Sequence, residues 1–337
     1  MPNLEGERPP PPARVHTQMP LPPQALATLE PLAKVIVGPA GNTDEWYAEA
    51  ATYDILIIGG NIAYDSLYMD RIGPRVRALA RPGIGVDRID LAAATARGIL
   101  VVNTPDAPTE STAEHAVALM LGLTKRVAAS DRILRSGQGF PRYGSFTPGL
   151  EALGATLGLV GLGRIGGRVA EIARVLGMRV IAHDPFVTPE RAAALDVELA
   201  PTLRDVLVAA DVVSIHCPSI PETYRLINAE TLAFMRPGSF LVNVSRGAIV
   251  DEDALVEALR SGHLAGAAVD VYEPEPPPAD HPLFSLPNTI CTTHIGSYTT
   301  AGLLKMQTQI CEQVALVLRG ERPTNLVNPE VWGKHRK

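Results

Sequence analysis

The stretch Thr156–Asp184, TLGLVGLGRIGGRVAEIARVLGMRVIAHD, constrains this chain more than any other part of it. Gly161, Gly163 and Gly166 fit G-x-G-x-x-G directly after the apolar run Leu157–Val160. Ile165, Val169, Ile172, Ala173 and Leu176 then recur at helical spacing, Gly177 stands where a helix should end, and Met178–Ala182 reads as the next buried strand. Strand, glycine turn, helix and strand in this order make the βαβ unit that binds dinucleotides. The first glycine permits a tight turn, the second lets a pyrophosphate approach the backbone, and the third lets the helix lie close to the strand. Unpaired N–H groups and the positive end of the helix dipole then face the phosphates, so Gly161, Gly163, Arg164, Ile165 and Gly166 are candidate cofactor-binding residues. Asp184 follows at about 20 residues past the last glycine, the usual distance for the acid that binds the adenosine ribose. Its carboxylate repels a 2′-phosphate, and Pro185 and Phe186 rather than an arginine come next, so NAD is favoured over NADP.

A chain of 337 residues, 46% hydrophobic, suffices for about two domains with sizeable cores. Net charge is −6 with both signs mixed, and no basic run occurs before the last few residues. Nucleic acid and anionic membrane are therefore excluded as main partners. No apolar stretch reaches membrane-spanning length and the N-terminus has no apolar signal core, which points to the cytoplasm. Cys217, Cys291 and Cys311 are far apart without metal-ligand spacing and read as small buried hydrophobes of a reducing compartment. Glu110, Glu114 and His115 lack H-E-x-x-H spacing, so no metal site is expected. The first dozen residues, ending in Pro9–Pro12, read as a disordered tail.

From Ala13 onward strands and helices alternate. Strands are expected at Ala13–Thr17, Lys34–Val37, Asp54–Ile58, Val76–Ala80 and Ile99–Val102, with helices at Pro22–Glu30 and Leu91–Arg97. This half is a parallel α/β unit of its own, with the glycine loop Arg81–Val86 at a strand's C-terminal end. A long helix is expected over Thr109–Ala129. After the dinucleotide unit come helices at Thr202–Ala210, Leu226–Met235 and Glu252–Arg260, the last capped by Asp251. Strands are expected at Asp211–His216, Ser239–Asn243, Gly266–Tyr272 and Asn288–Thr293. The amphipathic segment Thr300–Leu318 is a final helix whose Leu303, Met306, Ile310, Val314 and Val317 suit packing back on the first half.

Three polar residues, Arg246, Glu275 and His294, stand just past expected strands of one sheet, and strand ends on one edge of a parallel sheet converge. Their chemistry suits hydride transfer to a keto carbon. The charge left on oxygen needs a proton donor that titrates near neutrality, which histidine is. A carboxylate beside it stabilises imidazolium. A guanidinium clamps a substrate carboxylate and polarises the neighbouring carbonyl. Taken singly, each also has an ordinary structural explanation: an ion pair for Arg246, a solvated loop acid for Glu275, a helix-terminus histidine for His294.

At this point the chain resembles the D-isomer-specific 2-hydroxyacid dehydrogenases, which include glyoxylate/hydroxypyruvate reductases and phosphoglycerate dehydrogenases. The likeness runs from about Arg14 to Val327 and rests on Gly85–Pro105, Ser111–Leu121, the glycine motif, Asn243–Leu255, Gly266–Pro276 and His294–Gly296. The resemblance implies an NAD-dependent oxidoreductase interconverting a small 2-oxo acid and a D-2-hydroxy acid. It gives Arg246 to the substrate's carboxylate and carbonyl, Glu275 to the histidine, His294 to general acid/base work, and the backbone N–H groups of Ile84 and Gly85 to the carboxylate. It places Asp270 near the nicotinamide carboxamide with Ser245 close by, His216, Cys217 and Pro218 at the adenine side with Thr223 nearby, and Gly296 among the cofactor-binding residues. The implied fold is α/β with two doubly wound parallel-sheet domains: a flavodoxin-like substrate domain, residues 1–103 and 296–337, and a Rossmann cofactor domain, residues 104–295. A hinge between them and a homodimer with the helix near Thr109 at its interface are implied too.

Thr293 stands where the family often has proline, Pro108 where asparagine is common, and Phe140 and Ala155 where tryptophan and lysine are frequent. None of these removes a catalytic group. The long C-terminal regulatory extension of some phosphoglycerate dehydrogenases has no counterpart in this sequence, so no serine feedback site is expected. Alternative activities are a phosphoglycerate dehydrogenase, a phosphite-type dehydrogenase and a non-catalytic NAD(H)-sensing corepressor.

Overall fold

The computed structural model describes residues 12–59, 62–142 and 147–336. The expected proline-rich tail lies outside the described residues except for Pro12, which is exposed. The chain forms two compact units, residues 1–108 with 300–337, and residues 109–299.

The first unit holds strands β1 (Ala13–Thr17), β2 (Ala33–Val37), β3 (Ile55–Ile57), β4 (Ala78–Arg81) and β5 (Leu100–Asn103). They pair in parallel in the order β2-β1-β3-β4-β5, the flavodoxin-like arrangement. Of its inner strands, β3 is wholly apolar and β4 is apolar up to Arg81, while β1 carries Arg14, His16 and Thr17; both faces of the sheet are covered. On one face lie Trp46, Tyr53, Tyr64, Tyr68 and Met69. On the other lie Leu29 and, from the helix Thr300–Leu318, Ile310, Val314 and Val317. That helix has the expected bounds and packs on this sheet as its apolar stripe predicts. Leu303 is the stripe position left half-buried. Two further helices, Asp44–Ala50 and Ser66–Arg71, were not expected. They are too short for periodicity to show; their starts are set by Thr43 and Asp65, whose side chains accept the N–H groups of Trp46 and Tyr68.

The second unit holds β6 (Thr156–Val160), β7 (Arg179–His183), β8 (Glu198–Leu199), β9 (Val212–Ile215), β10 (Ser239–Asn243), β11 (Leu264–Val269) and β12 (Thr289–Cys291). The order is β12-β11-β10-β9-β6-β7-β8, parallel throughout. The chain runs outward from β6 through β7 to β8, then returns to β9 and runs the other way. This Rossmann topology opens a crevice at the C-terminal ends of β6 and β9. Side chains alternate between two cores: Leu157, Leu159 and Val242 meet Ala116, Met120, Val169 and Ala173 on one face. Val160, Ile215 and Leu241 meet Leu207, Leu232 and Leu255 on the other.

The helix expected over Thr109–Ala129 is two helices, Thr109–Thr124 and Val127–Arg135. Arg126 breaks it with φ of 60°. Apolar spacing continues across the break, so periodicity alone hides it. Tertiary bonds hold it: the Thr124 carbonyl accepts the Leu150 N–H, and Arg126 lies over the Phe240 ring and donates to the Ala265 carbonyl. The helix expected from Leu226 starts at Ala229 because Asn228 caps it. The strand expected over Gly266–Tyr272 is Leu264–Val269, so Asp270 leaves the sheet. Helix Pro189–Ala194 and the two-residue strand β8 were not expected. Cys311 is buried as expected, while Cys217 and Cys291 are only half-buried.

Candidate active site

The glycine turn is shaped by close backbone approach. Gly161 has φ of +97°, and a Cβ there would lie 2.7 Å from the Cys217 nitrogen. A Cβ on Gly166 would fall 2.3 Å from the Gly161 carbonyl oxygen, so the helix Arg164–Val175 leaves the strand as closely as two backbones allow. Gly163 is the N-cap of that helix, carries no side-chain cap, and a Cβ on it would meet nothing within 4 Å. Gly163 thus gives the first turn no side-chain cap, and no acid occupies that turn. At the end of β7, Asp184 accepts the Leu162 N–H at 2.8 Å and the Phe186 N–H at 2.9 Å. A helix N-terminus with glycine at its N-cap and a carboxylate beside its glycine turn fits a dinucleotide's diphosphate and ribose.

His216, Cys217 and Pro218 follow β9. His216 pairs with the Ser214 hydroxyl at 2.8 Å, and burial lowers its pKa to about 4, so the ring is neutral. Burial pushes the Cys217 thiol up to about 11. The Thr223 hydroxyl donates to the Pro218 carbonyl at 2.7 Å and braces this loop. The Ser245 hydroxyl donates to the Cys217 carbonyl, tying the loop after β10 to the loop after β9.

Arg246, Glu275 and His294 stand on the loops after β10, β11 and β12, three strands adjacent in the sheet. The His294 Nδ1 and the Glu275 carboxylate are 2.5 Å apart. Burial raises the Glu275 carboxyl, but the His294 hydrogen bond and charge, with Arg246 adding its own, outweigh it and hold the group below its ordinary value. An ionised Glu275 keeps the proton on Nδ1 and leaves Nε2 as the atom that exchanges one. The Asn243 side chain donates to the Arg246 carbonyl at 2.9 Å, and Arg246 Nη1 donates to the Ser245 carbonyl at 2.7 Å. A Cβ on Gly247 would lie 2.0 Å from the Tyr272 carbonyl carbon, so the loops carrying Arg246 and Glu275 touch backbone to backbone. Asp270 is buried, and its carboxylate accepts the N–H groups of Ile295 and Gly296 at 2.9 and 2.8 Å.

One support of this site was not anticipated. The Glu252 carboxylate accepts the Glu273 N–H at 3.1 Å and pairs with His281 Nε2 at 2.7 Å, which fastens the loop that presents Glu275. In the sequence Glu252 is an acid beside an N-cap, which the helix dipole explains equally well, and His281 reads as a plain loop residue. Ile84 and Gly85 lie in the first unit, on the loop after β4. That loop is fastened to the end of β5: Thr104 Oγ1 accepts the Gly83 N–H at 2.7 Å, and Asn103 donates to the Ile84 carbonyl at 2.9 Å.

Comparison with known proteins is consistent with this geometry. The family model for the D-isomer specific 2-hydroxyacid dehydrogenase, NAD binding domain, matches residues 117–296. The D-3-phosphoglycerate dehydrogenase of Mycobacterium tuberculosis (strain ATCC 25618 / H37Rv) is 40% identical over 308 residues, 91% of this chain and 57% of that protein. The glyoxylate reductase of Korarchaeum cryptofilum is 41% identical over 259 residues, 77% of this chain and 78% of that protein. A protein of Thermus thermophilus has a crystal structure that superposes with a TM-score of 0.83 at 40% identity, covering 93% of this chain and 99% of that one. The chain spans about half the length of the phosphoglycerate dehydrogenases it matches.

Proposed function

Because the chain belongs to the D-isomer specific 2-hydroxyacid dehydrogenase family, we propose that it transfers a hydride reversibly between NAD(H) and a small acid, reducing a 2-oxo acid of the glyoxylate or hydroxypyruvate type to the D-2-hydroxy acid. The contact between His294 and Glu275, with Arg246 on the neighbouring loop, carries this reading. Bound NADH supplies the hydride. The Arg246 guanidinium holds the substrate carboxylate and polarises its carbonyl. The backbone N–H groups of Ile84 and Gly85 hold the same carboxylate. His294 delivers a proton from Nε2 to the carbonyl oxygen, and Glu275 at Nδ1 orients the ring and stabilises the imidazolium. Asp184 selects the ribose of NAD, the N–H groups after Gly163 bind the diphosphate, and Asp270, Ser245 and Gly296 border the nicotinamide. His216, Cys217, Pro218 and Thr223 border the adenine.

In this reading residues 104–295 bind the cofactor and residues 1–103 with 296–337 bind the acid, in a cytoplasmic homodimer. Among the described residues no helix is long and apolar enough to cross a membrane. The test is NADH oxidation by the purified chain with a panel of 2-oxo acids, run with NADPH in parallel. Turnover with glyoxylate or hydroxypyruvate is expected, and binding of NADH without turnover on any 2-oxo acid overturns the proposal. The phosphoglycerate dehydrogenase matches favour a second reading, oxidation of a phosphorylated three-carbon D-2-hydroxy acid, and the same panel run in reverse with 3-phosphoglycerate separates the two.

A further inference from the structure

We propose that His115 is a positioning residue for His294, acting through Thr292 and Asp270 from the first turns of the helix Thr109–Thr124. His294 is one of the few described non-glycine residues with positive φ, at 56°, a conformation that surrounding structure must hold in place. The next two residues are anchored by Asp270, which accepts the backbone N–H groups of Ile295 and Gly296. Asp270 is in turn held from behind. The Thr292 hydroxyl donates to it at 2.6 Å, and His115 Nε2 lies 3.3 Å from that hydroxyl and 3.5 Å from the Asp270 carboxylate. A hydroxyl has one proton. Since Thr292 gives its proton to Asp270, the bond between Thr292 and His115 has the imidazole as donor, which fixes Nε2–H toward this cluster.

The same helix touches the segment after His294 at two further places. A Cβ on Gly296 would lie 3.4 Å from Thr112 Cγ2 and 3.7 Å from His115 Cδ2, ordinary contact distances, so the loop lies directly against the helix. The Ser111 hydroxyl meets the Thr299 hydroxyl at 2.8 Å. Ser111, Thr112 and His115 therefore form one docking face for residues 292–299. Of these three, only His115 reaches the carboxylate that carries the loop.

This inference rests on the proposed reaction for its kinetic arm but not for its structural one. Amide hydrogen exchange of the full chain, read on the peptide spanning residues 292–299, measures the positioning directly. In His115→Phe, which keeps the ring's bulk and removes the donor, exchange at Ile295 and Gly296 should rise by about tenfold. With a 2-oxo acid and NADH, kcat should fall by about tenfold while KM for NADH changes by less than about twofold. His115→Gln, whose amide nitrogen reaches the place of Nε2, should recover most of both losses. Thr292→Val removes the same bridge from the other side and should reproduce the Phe variant, which keeps the test decisive if one variant does not fold. Unchanged exchange in both the Phe and the Val variants, or a Gln variant no better than Phe, overturns the proposal. A wild-type chain inactive on every 2-oxo acid overturns the reaction, while the exchange arm still decides the role of His115.

Discussion

The Leu162 N–H, inside the glycine turn, donates to the Asp184 carboxylate at 2.8 Å. The acid assigned to the ribose is thus also a brace for the turn assigned to the diphosphate. Asp184→Ala should weaken NADH binding by more than a lost ribose contact alone, about a hundredfold in Kd, and lower stability by roughly 1–2 kcal/mol through two backbone donors left without an acceptor. Fluorescence titration with NADH and thermal melting read the two effects. A variant that keeps wild-type stability while losing only affinity would show that the brace contributes nothing.

Gly163 and Gly166 should separate binding from folding. A methyl at Gly166 meets the Gly161 carbonyl at 2.3 Å, whereas one at Gly163 meets open space. Gly166→Ala should therefore lower Tm by several degrees and abolish NADH binding. Gly163→Ala should melt like the wild type yet bind NADH about tenfold or more weakly, because the methyl enters the path of the pyrophosphate. Equal losses of Tm in the two variants would contradict this assignment.

Removal of the proton donor should cost more than removal of its partner. His294→Ala is expected to lower kcat by about 10³-fold or more, and Glu275→Gln by about 10²-fold, since the amide still meets Nδ1 but stabilises no imidazolium. Arg246→Lys should not rescue Arg246→Ala fully, because an ammonium lacks the paired donors of the guanidinium. Steady-state kinetics on these variants, with circular dichroism to verify folding, provide the check.

Glu252 should matter to catalysis from a distance. Glu252→Ala removes the acceptor of the Glu273 N–H and leaves His281 without its partner in a buried place. We expect a stability loss of roughly 1–3 kcal/mol together with a fall in kcat, as the loop bearing Glu275 loosens. Chemical denaturation and kcat measured on one preparation would expose either part if absent.

Acid should unfold the protein through histidines buried in neutral form. Burial lowers the pKa of His16, and that of His216 to about 4. In the unfolded chain both return toward 6.5, so below that value the unfolded state binds more protons than the folded one. Their stabilising contribution is complete above about pH 6.5 and is lost as pH falls toward 4. Urea midpoints measured from pH 7.5 to 4.5 should decline below pH 6.5, and more shallowly in His216→Gln. A parallel decline in that variant would locate the effect elsewhere.

Much of the fold was legible because its signals are local. β1, β10, the helix Glu252–Arg260 and the helix Thr300–Leu318 have the bounds that alternation, caps and apolar spacing predict. The break at Arg126 was hidden because its cause lies in Phe240 and Ala265, more than 100 residues away. In the site, Arg246, Glu275 and His294 could be proposed because each follows a recognisable strand and the chemistry needs their types. The holding contacts could not. Glu252 with His281, and His115 with Asp270, meet only after folding, and each side chain by itself has an ordinary explanation.

The adjacency of β10, β11 and β12 has one more consequence. Neighbouring strands lie about 4.8 Å apart, so loops leaving three consecutive strands are anchored across roughly 10 Å. Under the proposed reaction, the hydrogen-bond spacing of the sheet sets how far apart the loops bearing Arg246 and His294 are anchored.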